Sequence, residues 1–304
     1  MPVMMYGARL LDHAKGLVER REQLFGGLMV AVSGLSFGTL SVFNRALAEA
    51  GVPVAQMSFL RFLGGAAVLW AIALSRNEPA PLPRGKLAGL FALGVLFVGE
   101  AWLYFESSRR IPIAVTAVLL YLFPALVALV SRVIFGERLG VVGLVALALS
   151  LSGTALVVGA PAGALEVLGV LLGVGSAVAY SGYVLVGSRV QPGVPPTFAS
   201  AVISTSAAAV FAIGAIVQGE TSFSGAASAW PSVVGLVLLG SVVPVPLLLF
   251  GMARIGANRA SVISTLEPVS AAICGLLFLG ETMTALQWLG AAAVVSAALV
   301  ASRR

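Results

Sequence analysis

Histidine and cysteine are almost missing from this chain: His13 and Cys274 are the single representatives of each in 304 residues. A lone cysteine excludes an internal disulfide and a cysteine-rich metal site. No His, Cys or carboxylate cluster has metal-ligand spacing, so neither a metal nor a cofactor is expected. His13 stands in the N-terminal tail, which leaves the apolar body of the chain without histidine for acid–base chemistry. Neither a His-Glu-x-x-His zinc motif nor a Gly-x-x-x-x-Gly-Lys-Ser/Thr phosphate loop occurs. The chain is therefore not expected to be an enzyme, and in particular not an ATPase.

Charge is the second scarcity. Only 10% of residues are charged and 59% are hydrophobic, with a mean hydropathy of +1.05, whereas a soluble domain carries about 25% charged residues. A soluble chain of this composition could not cover its surface with polar groups. In lipid every backbone N–H and C=O needs an internal partner, which restricts spanning structures to helices and closed barrels. Barrels need alternating segments of about ten residues. Here the apolar runs are continuous and close to the roughly twenty residues that cross hydrocarbon as a helix. Ten such runs are read at 25–47, 54–74, 87–107, 112–135, 140–160, 166–188, 197–218, 231–253, 258–279 and 284–302. No connection between them is long enough for a soluble domain. The expected fold is thus an all-α polytopic membrane protein of ten transmembrane helices, with membrane lipids as its surroundings.

The net charge of +6 would, in a soluble chain, raise the question of nucleic acid. Here the basic residues orient the protein, and no nucleic-acid partner is expected. Placing the N-terminus in the cytoplasm puts fourteen of the eighteen Lys and Arg on that side, as the positive-inside rule requires. Both termini are then cytoplasmic, in a bacterial inner membrane. No cleavable signal peptide is read in residues 1–23. Within that segment Leu10, Leu11, Ala14, Leu17 and Val18 share a helical face opposite Arg9, Lys15, Glu19 and Arg20. This suits either a short helix in the membrane interface or a partly disordered tail.

The chain also repeats itself. Shifted by 144 residues, Arg110, Ile111, Pro124, Gly136 and Glu137 meet Arg254, Ile255, Pro268, Gly280 and Glu281, while Gly26 and Ser33 find Gly169 and Ser176 at a comparable offset. Two repeats are expected, at 24–160 and 161–304, after an N-terminal segment at 1–23. Five crossings is an odd number, so the second repeat is inverted. Inverted repeats mark secondary transporters, whose sites lie near the midplane where the repeats meet.

These same residues carry a family resemblance. Leu266-Glu267-Pro268 followed by Gly280-Glu281, Pro124 followed by Gly136-Glu137, and Phe59-Leu60-Arg61-Phe62 resemble the two EamA repeats of the drug/metabolite transporter superfamily over nearly the whole chain. Tyr104-Phe105-Glu106-Ser107-Ser108 resembles the YddG-like amino-acid exporters within it. The resemblance implies a central cavity of alternating access and export, without ATP hydrolysis, of amino acids, aromatic ones included, or related metabolites. An exporter of drugs or organic cations is the alternative within the same fold.

Ionisable groups at membrane depth are costly and usually face a cavity or a partner. Glu100 and Tyr104 share one face of the third run, where a carboxylate beside a phenol would bind an ammonium or carry a proton; a structural pair with Arg61 is the alternative. Glu267, preceded by Ser261, Ser264 and Thr265, marks a second polar wall, unless it pairs with Arg254 or Arg259. Its repeat counterpart is Phe123, so the charge is not part of the shared architecture. Arg61 would attract a substrate carboxylate, snorkel to the interface, or pair with Glu100 or Glu106. Glu100 and Trp102 shift by 144 onto Pro244 and Pro246, which should kink or break the eighth run at matching depth. Such a kink marks either a transport site or a packing bend. Trp102, Tyr121, Tyr180 and Tyr183 are candidate aromatic walls for an amino-acid site; Tyr180, Ser181 and Tyr183 cannot all share one face. Glu137 and Glu281 are read as helix caps or salt-bridge partners. Proton coupling through Glu100 or Glu267 is compatible with a carrier and not required by it. Gly34-x-x-x-Gly38 and Gly169-x-x-x-Gly173 would serve helix packing within or between chains, so the oligomeric state stays open.

Overall fold

The computed structural model describes residues 2–78, 82–159, 165–219 and 224–302, and side chains from residue 20 onward. The repeat boundary expected at 160/161 falls on residues outside this set. Among the described residues all regular structure is helical. Nine apolar helical stretches are long enough to cross a membrane: Arg20–Glu49, Val54–Ser75, Arg84–Ser108, Ile113–Phe135, Val141–Val158, Val167–Val190, Pro196–Val217, Trp230–Phe278 and Ala285–Ser302. The eighth has 49 residues, about 70 Å as a helix, more than twice the ~30 Å of hydrocarbon. It is divided at Gly256, whose φ of 79° and ψ of 165° turn the chain. It therefore makes two crossings, here the eighth and ninth spans, and Ala285–Ser302 is the tenth.

The backbone before Arg20 continues into the first span as one helix, Pro2–Gly38. The interfacial face expected from Leu10 to Val18 concerns side chains outside the described set.

Span packing follows a two-fold pattern. The first span lies along the eighth and ninth, and the sixth lies along the third and fourth; the second packs on the seventh, and the fifth on the tenth. Exchanging each span with the one five positions later maps this pattern onto itself, as two inverted five-helix repeats require. Glycines make the closest approaches. A Cβ at Gly38 would strike Ser270 of the ninth span and one at Gly34 would sit tightly, 3.3 Å from Ser264 O, while one at Gly169 or Gly173 would strike Ile111 or Leu119. Both small-residue motifs thus pack helices within the chain. Large apolar residues such as Val133, Val141, Ile216, Val217 and Leu277 face outward, where lipid replaces water.

Four spans are interrupted inside the bundle. The first breaks at Thr39, the fourth at Tyr121-Leu122, the ninth at Thr265, and the eighth winds into a π-turn over Leu238–Val242. The breaks at Tyr121 and Thr265 lie 144 residues apart, each just before a helix carrying Pro124 or Pro268 in its first turn. The pyrrolidine ring supplies no N–H and crowds the preceding turn, so each repeat breaks at the same place.

Candidate functional site

The interrupted spans enclose a cavity of about 820 Å³ between the halves, within the range of small-molecule sites. Its walls come from the first to fifth spans and from the sixth, seventh, eighth, ninth and tenth. Glu100, Tyr104, Tyr121, Tyr180, Glu267, Arg61 and Pro268 all line it. Glu100 is buried, and among the described residues neither it nor Glu267 has a hydrogen bond or an ion pair within 4.0 Å. Both carboxylates act electrostatically on Arg61.

Arg61 takes neither of the partners considered from sequence. Glu106 is held by Arg109 at 3.1 Å and Arg110 at 2.6 Å. Arg61 instead donates from Nε at 2.9 Å and from Nη2 at 2.5 Å to the carbonyl of Gly240. Its guanidinium lies 4.8 Å from the Phe62 ring centre and 5.5 Å from those of Phe37 and Phe97. Backbone accounting explains the choice. Pro244 has no N–H for the carbonyl four residues back, Gly240, or five back in the π-register, Leu239. Ser36 Oγ donates to Leu239 O at 2.8 Å, and Ser33 Oγ to Pro244 O at 2.8 Å. In lipid an orphaned carbonyl must find a donor; the first span supplies Ser36 for Leu239 O and the second supplies Arg61 for Gly240 O. Pro244 is buried in this joint; neither it nor Pro246 lines the cavity, and Pro124 is also set back in the core.

Three expected wall residues stand elsewhere. Trp102 is 59% exposed on the outer surface: two positions from Glu100 is about 200° around a helix, the opposite face. Tyr183 is fully buried behind the wall, its ring stacked on Tyr180 at 5.9 Å. Ser264 is buried and spends its hydroxyl on Ala260 O; Ser181 does likewise on Ala177 O. Arg254 pairs with Glu22 and Arg259 bonds Gln23, so neither neutralises Glu267.

Several wall residues were not picked out from sequence: Phe37, Phe62, Phe97 and Phe211, with Asn44 and Gln287. The phenylalanines carry no signal in a chain rich in apolar residues. Asn44 was detectable as a polar side chain inside an apolar run. One sequence pattern is without the chemistry it spells. Gly34-Leu35-Ser36-Phe37-Gly38 spells Gly-x-Ser-x-Gly, but it lies in a transmembrane helix and its serine hydroxyl is bonded to Leu239 O. It has neither the strand-to-helix turn nor the histidine of a nucleophile elbow. Among the described residues no group of three His, Cys, Asp or Glu could hold a metal.

Among the described residues, the exposed charged residues that line the cavity gather at one end. Its rim carries Arg45 and Glu281, both more than half exposed and 4.0 Å apart. At the opposite end the halves are tied together. Glu137 takes Arg189 Nη2 and Asn258 Nδ2 at 3.0 Å each, and Lys86 Nζ reaches Pro192 O at 2.6 Å. Glu137 and Glu281 are thus ion-pair partners at opposite faces.

A ten-span, two-fold bundle around a central cavity, open to one face and closed at the other, is the architecture of a secondary carrier. The EamA-like transporter family matches residues 24–159 and 167–303, and the chain belongs to it. It is 27% identical to an uncharacterized transporter of Archaeoglobus fulgidus over 92% of this chain and 97% of the relative. It is 25% identical to the uncharacterized transporter YwfM of Bacillus subtilis over 90% and 93%. It is 26% identical to the threonine/homoserine exporter RhtA of Escherichia coli K12 over 90% and 88%. A solved crystal structure superposes with a TM-score of 0.76 at 25% identity, covering 92% of this chain and 99% of its own. The protein is accordingly a multi-pass membrane transporter for a small molecule.

Proposed function

We propose that the protein exports amino acids or closely related amino-bearing metabolites by alternating access. One observation carries this reading: inside its Arg45–Glu281 rim the cavity is lined by two carboxylates, Glu100 and Glu267, and one guanidinium, Arg61, none paired with another. A zwitterion matches that arrangement. Its ammonium would lie between Glu100 and Glu267. Its carboxylate would meet Arg61 Nη1, which makes no hydrogen bond among the described residues. Tyr104, Tyr121, Tyr180, Phe62 and Phe97 offer an aromatic wall for the side chain. The name of the relative RhtA supports the same substrate class, as does the resemblance to YddG-like exporters.

With the N-terminus in the cytoplasm, the Arg45–Glu281 face is the outer one, and the structure is the outward-open state. The test is counterflow in liposomes with labelled threonine or phenylalanine and unlabelled competitors. Saturable exchange blocked by other amino acids is expected; flux of cationic dyes with no amino-acid exchange would overturn the substrate assignment.

The cation reading is favoured by one count: two carboxylates stand against one guanidinium already engaged by Gly240 O. Coupling to protons through Glu100 or Glu267 is tested in the same vesicles by imposing a pH gradient. Exchange indifferent to the gradient means facilitated diffusion.

A further inference from the structure

The two Gly-Glu elements, one per repeat, have the same backbone frame and different side-chain engagement. Gly136 and Gly280 both adopt φ of 69°. Glu137 N–H donates to Ser131 O and Glu281 N–H to Gly275 O, each six residues back and each 3.1 Å long. This is the left-handed helix cap that satisfies orphan carbonyls, and it delivers both carboxylates identically at opposite ends of the bundle. The partners also correspond. Arg189 and Arg45 stand near the C-terminal ends of the sixth and first spans, which are repeat counterparts, where a cation is favoured.

Engagement is where they differ. At the closed face Glu137 receives Arg189 and Asn258, both across the boundary between halves, and the Arg189 guanidinium lies 3.9 Å from the Phe135 ring centre. At the open face Glu281 and Arg45 are 4.0 Å apart, and Arg45 is drawn at 3.1 Å to Glu49 on its own helix. The position matching Asn258 by the 144-residue shift is Ala114, a wall residue near the cavity entrance with no amide to offer.

We propose that Glu137 and Glu281 are reciprocal latches: Glu137–Arg189 with Asn258 holds this state, and Glu281–Arg45 closes the other when the first latch opens. The inference rests on the reading of the chain as an alternating-access carrier. The extra donor on Glu137 makes the observed state the favoured one without substrate.

The test reads sidedness directly and needs no substrate, so it stands apart from the amino-acid assignment. Cys274, the single cysteine, is replaced by Ala, and Ala101 of the cavity wall by Cys. A membrane-impermeant maleimide is then applied from each side of sealed vesicles of known orientation. Glu137→Gln should lower labelling from the Arg45–Glu281 side about two- to fivefold and raise it from the other, the range expected for exposed ion pairs. Glu281→Gln should not lower it. Ala114→Asn, which supplies the missing amide and disturbs no existing contact of Glu137, should shift labelling in the same direction as Glu137→Gln. Unchanged labelling in Ala114→Asn together with equal effects of the two glutamate variants would overturn the proposal.

Discussion

The guanidinium of Arg61 caps the carbonyl of Gly240, the backbone group that Pro244 leaves without its helical donor. A charged side chain of the second span thereby holds the break in the eighth, and the same residue lines the cavity. Two roles meet in one residue, and they separate experimentally. Arg61→Gln should lose substrate exchange and lower thermal stability by about 1–3 kcal/mol, the cost of an unsatisfied buried group. Adding Pro244→Ala returns an N–H to the helix and should recover stability but not transport. Melting curves of the purified single and double variants check the first part, and counterflow checks the second.

Glu100 and Glu267 are predicted to act on substrate, and Trp102, on the outer surface, to be irrelevant to it. Glu100→Gln and Glu267→Gln should each weaken amino-acid binding about ten- to a hundredfold, the loss expected for a hydrogen bond to a charged group. Trp102→Ala should leave binding within twofold or so, as exposed positions usually do. Competition in the counterflow assay measures all three; a Trp102 effect as large as that of the glutamates would place the substrate elsewhere.

Cavity volume can be removed without touching charge. Ala117 lines the cavity from the fourth span. Ala117→Trp should abolish exchange while leaving the protein monodisperse, because the side chain enters existing space rather than a packed core. Retained exchange would mean that substrate bypasses this chamber.

Gly136 and Gly280 should respond alike to substitution, since both hold the left-handed cap at φ of 69°. Each glycine-to-alanine change should cost about 1–2 kcal/mol, read as a drop in melting temperature. A drop confined to one of them would show that the two caps are not equivalent in the folded protein.

Much of this was legible in the residues alone, for definite reasons. Hydrocarbon demands long apolar runs, so the spans could be counted, and the division between 231–253 and 258–279 read from sequence coincides with the joint at Gly256. Pro124 and Pro268 were legible as repeat counterparts, while the interruption was expected at Pro244 and Pro246; that the helix also breaks just ahead of Pro124 and Pro268 came from the structure. Burying a carboxylate in lipid is costly, so Glu100 and Glu267 stood out from their surroundings. The 3.6-residue period already joined Glu100 to Tyr104, and it also set Trp102 on the opposite side.

What lay beyond the sequence were the relations between elements. Arg61 was weighed against carboxylates because charges have letters, whereas its acceptor is a backbone carbonyl, which every residue carries. Tyr180 faces the cavity and Tyr183 the packing behind it, a distinction set by how the sixth span is rotated against its neighbours. Which face of the bundle is open depends on the packing of one repeat against the other. The repeat sets a Gly-Glu element and a facing arginine at each end of the bundle, and only the tertiary structure shows that Glu137 holds Arg189 at 3.0 Å while Glu281 and Arg45 stand 4.0 Å apart, because that depends on how one repeat is packed against the other.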